Sequence, residues 1–306
     1  NQREVERVIN GLGFATIAES FNAVEAWLSS LPGQAYANVR RPLIHSLNLS
    51  HLIPFSAIWP GPSRDEHLKA PPLMYVNTQG NTPFRLVNHL GDVGHQMIIG
   101  PTGAGKSVLL NMLALQFRRY QKAQVFIFDK GGSFLASTTG VGGGYYELGH
   151  QENGLVFQPL AKVDQESERI WAADWIHGLL MNENISMTPA VKQTVWEALN
   201  ALSQVPHEQR TLTGFSALLQ NTELRSALSN YTLNGPFGHL LDADHEKECS
   251  ESWQCYELES LMGMPSVIPP VLNYLFHRLE TQFTGLPTML ILDEAWLFLD
   301  HPMFEE

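Results

Sequence analysis

The chain of 306 residues is poor in three things. It has only two cysteines, it is short of basic side chains, with 19 Lys and Arg against 31 Asp and Glu, and it has no apolar run near the eighteen or so residues that a membrane-spanning helix takes. Cys249 and Cys255 have no CxxC companion, so neither a zinc ribbon nor a disulfide framework is indicated. Both read as plain reduced thiols. The missing apolar run, together with the missing signal-peptide pattern, reads as a soluble, cytosolic chain. A net charge of −12 is the opposite of a general nucleic-acid-binding surface, so any DNA contact has to be local. The sequence opens on Asn1 rather than Met and stops at Glu306, just after a strand read as catalytic; a fragment of a longer protein is expected.

What is present suffices for a core: 44% of the residues are hydrophobic, enough for one large α/β domain or two smaller ones. Residues 14–31 place Phe14, Ile17, Phe21, Val24, Trp27 and Leu28 at helical spacing before the stop "PG", which predicts an amphipathic packing helix. The Pro-rich, charged stretch 59–73 reads as a linker. Short strands follow in "LMYVNT", "PFRLVN" and "HQMIIG". Then come a helix from Ser107, the strand "QVFIFDKG", a helix in "PPVLNYLFHRLETQF" and a buried strand in "TMLIL". That rhythm is a parallel α/β sheet. Residues 166–235 are helical in period throughout, an all-helical insertion expected to stand beside the sheet as a lobe with its own small core, the alternative being helices that cover one face of the sheet. "DADHEKECSE" at 242–251 reads as a solvated acidic loop rather than as a metal site of Asp242, His245 and Cys249, whose spacing is not a standard one.

Gly100 to Ser107, "GPTGAGKS", satisfies the phosphate-loop pattern G-x-x-x-x-G-K-[ST], with an apolar run before it and a helix after it. Glycines let successive backbone N–H groups converge on phosphate, and the helix adds the positive end of its dipole. The expected nucleotide contacts are Gly100, Pro101, Thr102, Gly103, Ala104, Gly105, Lys106, Ser107 and Val108. Lys106 neutralises the β- and γ-phosphates and the Ser107 hydroxyl is a Mg²⁺ ligand. The companion is "ILDEAW": Asp293 leaves an apolar strand where open α/β sheets keep their ligand crevice, as the second Mg²⁺ residue, and Glu294 polarises the attacking water. ATP hydrolysis with Mg²⁺ is the chemistry this pair of motifs serves. Asp129 and Lys130 either touch nucleotide or a neighbouring subunit, or cap the strand end through an Asp-Lys-Gly-Gly turn. Arg40 and Arg41 read as surface charges.

Through "GDVGHQMIIGPTGAGKSVLLN", "FIFDKGGSF", "GPFGHLLDA", "PPVLNYLFHRLE" and "ILDEAW", most of the chain resembles the conjugal-transfer and type IV secretion ATPases, the CagE/TrbE/VirB group. The resemblance implies a RecA-like P-loop fold, a hexamer at the bacterial inner membrane, and partners among the secretion complex proteins and pilin subunits. It also implies ATP-driven pilus assembly and substrate transfer. The family's polar sensor and arginine finger lie downstream of the second motif, so this stretch alone is expected to hydrolyse ATP weakly or not at all. The expected organisation is an N-terminal region and linker over 1–72, the opening portion of the nucleotide domain over 73–165, the helical insertion over 166–248 and the return with Walker B over 249–306. The rival readings are a DNA-translocating ring motor, disfavoured by the acidic charge, and a nucleotide-locked structural subunit, disfavoured by Glu294.

Overall fold

The computed structural model describes residues 2–37, 40, 45–53, 58–80, 82–149, 154–246 and 249–293. They form two compact units, residues 1–59 and 60–306. The first holds three short helices, α1 (Gln2–Gly11), α2 (Ala23–Ser29) and α3 (Ser46–Leu52). The helix expected over 14–31 is realised only as α2. Phe14, Ile17, Phe21, Val24 and Trp27 are all exposed, so their periodicity finds no surface to pack on within the unit. Arg40 pairs with Glu19, and Arg41 lies outside the described residues.

In the second unit a hairpin comes first. Strands β1 (Met74–Val76) and β2 (Phe84–Leu86) pair antiparallel, with Met74 opposite Leu86. The main sheet takes four strands, β3 (Gln124–Asp129), β4 (Gly144–Glu147), β5 (Trp253–Glu257) and β6 (Thr288–Leu292), in the order β4-β5-β3-β6. Every ladder is parallel, so the crossovers have to be long and the helices have to cover both faces. Alternation along β3 shows the two faces. Val125 and Ile127 join Leu113, Ala114 and Phe117 of α4 (Lys106–Phe117) in one core, while Phe126 and Phe128 join a larger core on the other side.

That larger core is built by α6 (Glu166–Asn182), α7 (Pro189–Leu202), α8 (Leu212–Leu218), α9 (Thr222–Leu228), α10 (Gly238–Leu241) and α11 (Ile268–Glu280), following the short α5 (Leu135–Val141). Local capping starts several of them. Thr188 accepts from Val191 N at 3.3 Å ahead of Pro189, and Asn221 accepts from Glu223 N at 2.8 Å. Trp175, Leu179, Val195 and Leu199 fill the same core as Phe128 and Tyr256 of the sheet. The helices of 166–241 therefore share one core with a face of the sheet. Their three-and-four spacing is what a helix needs against any apolar surface, and the sheet supplies that surface.

Two strand expectations also change. "HQMIIG", residues 95–100, carries no ladder, with Met97 75% and Ile99 86% exposed. β6 forms but runs along an edge of the sheet, with Leu290 41% exposed and Ile291 buried. An apolar run becomes a buried strand only where a neighbour completes its hydrogen bonds.

The "GPFGHLLDA" segment owes its glycines to backbone packing. A Cβ at Gly238 would stand 2.0 Å from the Thr232 carbonyl oxygen, and one at Gly235 2.2 Å from that of Ser229. Gly238→Ala is expected to cost about 3 kcal/mol or more, since the obstacle is main chain and cannot swing aside. Urea unfolding checks this; a loss below about 1 kcal/mol would mean the turn opens freely.

Candidate functional site

α4 begins at a left-handed glycine. Gly105 has φ +85° and Gly103 φ +80°, a conformation that side-chain-bearing residues seldom adopt, so the loop turns sharply into the helix. A Cβ at either position would meet nothing within 4 Å, so open space lies beside the loop. The first amides of a helix have no carbonyl partner within it and carry the positive end of the dipole. Lys106 Nζ folds back on the loop, donating to the Gly100 carbonyl at 2.9 Å and the Pro101 carbonyl at 3.1 Å. Pro101 to Gly105 are exposed, and Lys106 and Ser107 are half-buried. An open loop, the start of a helix and a cation held by replaceable carbonyls suit a polyphosphate.

Asn111, one turn into α4 from Ser107, donates through Nδ2 to the Ser107 carbonyl at 2.9 Å and to the Ser133 carbonyl at 3.2 Å. Ser133 lies four residues past the end of β3. The phosphate loop therefore stands at the carboxyl edge of the sheet, where such folds bind ligands.

Four strand-end carboxylates stand at that edge, Glu147 at the end of β4 among them. Asp129 ends β3, Glu257 ends β5 directly opposite it in register, and Asp293 follows β6, its N–H donating to the Phe128 carbonyl at 3.0 Å. Asp129 is fully buried and accepts from Ser133 Oγ at 2.7 Å and Phe134 N at 2.9 Å. Glu257 accepts from Gly131 N at 3.0 Å, Gly132 N at 2.8 Å, Glu259 N at 3.0 Å and the Tyr145 hydroxyl at 3.1 Å. The "DKGGSF" turn is thus stapled by two acids, and of the two readings of Asp129 the turn-capping one is realised. Its donors compensate both buried charges. Burial and the Glu257 carboxylate push the Tyr145 hydroxyl far up, so it stays protonated as a donor.

The sequence alone does not single out Glu257 or Asn111. For Glu257 a signal exists: "WQCYE" ends a buried strand on an acid just as "VFIFD" does. Glu294 lies outside the described residues. Asp242 is spent on structure, accepting from Thr213 N at 2.8 Å and Thr213 Oγ1 at 2.5 Å, and no metal-holding cluster of His, Cys, Asp and Glu occurs among the described residues. Neither cysteine forms a disulfide, both are buried, and burial pushes both thiols up, away from the reactive thiolate.

Residues 92–219 match the TraG P-loop domain family. Conjugal transfer protein TrbE of Rhizobium radiobacter is 44% identical over 99% of this chain and 38% of its own length. A probable conjugal transfer protein TrbE segment of Sinorhizobium fredii is 42% identical over 98% of the chain and 46% of its own. Along nearly its whole length the chain is similar to these TrbE proteins. The type IV secretion system protein virB4 of Bartonella quintana is 27% identical over 96% of this chain and 38% of its own length. A solved VirB4 of Thermoanaerobacter pseudethanolicus shares the fold, with a TM-score of 0.58 at 18% identity over 72% of this chain and 67% of that one. The α/β, RecA-like P-loop architecture of the chain follows, with its parallel four-stranded sheet. The chain spans less than half the length of the TrbE relatives it matches. Among the described residues no helix is long and apolar enough to cross a membrane.

Proposed function

We propose that this chain is the nucleotide-binding portion of an ATP-driven motor in a type IV secretion or conjugation apparatus. The observation that carries the reading is the joint one: an open phosphate loop at the carboxyl edge of a parallel sheet, beside the strand that ends in Asp293, in a chain similar to the TrbE proteins. The main-chain N–H groups over 100–108, Pro101 having none, and the Lys106 ammonium bind and orient the triphosphate. Ser107 and Asp293 hold Mg²⁺, which when bound supplies charge neutralisation at the transferred phosphoryl group. Glu294 takes the proton of the attacking water.

A homo-oligomer, a hexamer by family resemblance, working at the cytoplasmic face of the bacterial inner membrane with other secretion proteins, completes the proposal. The test is Glu294→Gln in the full-length protein, wild type and variant alike. ATP binding is expected to persist within about threefold while turnover falls at least about a hundredfold, because one carboxylate supplies the base. Turnover equal to wild type, or a wild-type chain that binds ATP without hydrolysing it, would overturn the motor reading.

A further inference from the structure

The phosphate loop and the "DKGGSF" turn are far apart in sequence, yet one side chain holds both. Asn111 has two N–H donors and one carbonyl acceptor, and all three capacities are used. Nδ2 donates to the Ser107 carbonyl and to the Ser133 carbonyl, and Oδ1 accepts from Ser137 Oγ at 2.5 Å. The partners sit on three elements: the first turn of α4, the loop after β3, and α5. Turning the amide over would set its oxygen against two carbonyl oxygens, so the network fixes the orientation.

The turn that receives this contact is rigid. Asp129 and Glu257 between them accept from Gly131 N, Gly132 N, Ser133 Oγ and Phe134 N, and Thr138 of α5 accepts from Trp253 Nε1 at 2.9 Å. A displacement of the Ser107 backbone is therefore passed to a stapled body and on to α5, where a loose loop would absorb it.

We infer that Asn111 is a positioning residue: it couples nucleotide occupancy of the phosphate loop to the 129–134 turn and α5. The inference rests on the nucleotide-binding reading above. It assigns to Asn111 no contact with nucleotide, only the transmission of where Ser107 sits. A contact that served stability alone would weaken binding and turnover together.

The experiment uses the full-length protein with Mg²⁺ and ATP as the probe, and reads hydrogen exchange across 131–141 beside ATP affinity and turnover. In the wild type ATP is expected to slow exchange in that segment at least about threefold. Asn111→Ala is expected to remove most of this response and lower turnover about tenfold, with affinity kept within about threefold, since small misplacements cost rate before binding. Ser137→Ala, which cuts the α5 arm together with the Ser137 Oγ contact to the Phe134 carbonyl at 3.0 Å and leaves both Asn111 Nδ2 contacts in place, falls between the two and decides the matter if Asn111→Ala does not fold. A response in 131–141 that persists in the variants, or affinity falling in step with turnover, overturns the inference. ATP bound by the wild type with no response in 131–141 overturns it alone, whereas a wild type that binds no ATP overturns the nucleotide reading and the inference with it.

Discussion

Lys106→Ala is expected to weaken ATP binding at least about a hundredfold, close to 2.7 kcal/mol. The loop otherwise offers neutral amides, and charge-assisted hydrogen bonds to phosphate are roughly twice as strong as neutral ones. Fold stability is expected to change little. The carbonyls that Lys106 Nζ now occupies belong to Gly100, half-exposed, and Pro101, exposed, and water replaces the ammonium on both. Titration calorimetry with ATP and a thermal melt, run on the same preparation, separate the two effects. Unchanged affinity would remove Lys106 from the phosphate site, and a lost melting transition would make it a structural residue.

Arg278→Met is expected to cost about 3 kcal/mol at pH 8. Arg278, on α11, pairs with Glu246, and both side chains are close to 15% exposed. Glu246 also accepts from the Tyr274 hydroxyl and from Gln158 N at 3.4 Å. Burial, the largest influence, holds the Glu246 carboxyl above its ordinary range, with the Arg278 charge pulling the other way. Removing the cation leaves a buried carboxylate uncompensated, and breaking such a pair typically costs about 3–5 kcal/mol. The pH dependence follows from the direction of the shift. An acid whose pKa is raised by folding loses stability as pH climbs from its unfolded value, about 4.3, through the folded one. Without Arg278 the folded value rises further, so the deficit is expected to be large at pH 8 and smaller at pH 5. Urea denaturation at both values measures it. An equal deficit would mean that Arg278 acts through the packing of its stem.

The phosphate loop was legible because its chemistry is local. Glycines, lysine and serine within eight residues specify one turn and one helix start whatever surrounds them. The parallel sheet was legible from the apolar runs "VFIF" and "LIL" followed by acids. Glu257 was not, because its meaning depends on Gly131 and Gly132, and only the register of β3 against β5 brings them together. The same limit explains the helices over 166–241. Periodicity shows that Trp175 and Leu199 are covered, and says nothing about whether a neighbouring helix or the far side of β3 covers them. "HQMIIG" fails for the mirror reason: its composition suits a strand, and no ladder reaches it.

The strand order has a consequence for how the chain comes off the ribosome. Val125 pairs with Trp253 and with Met289, so β3 is made long before either of its neighbours exists. At about 5–20 residues per second, the 128 residues between Val125 and Trp253 take roughly 6–25 s to synthesise. During that interval α6 to α9, whose contacts are short in sequence, can form and pack on one face of β3. Both hydrogen-bonding edges of a strand as apolar as "VFIF" meanwhile remain open. Nascent chains halted before residue 253 are therefore the ones most prone to pair with one another.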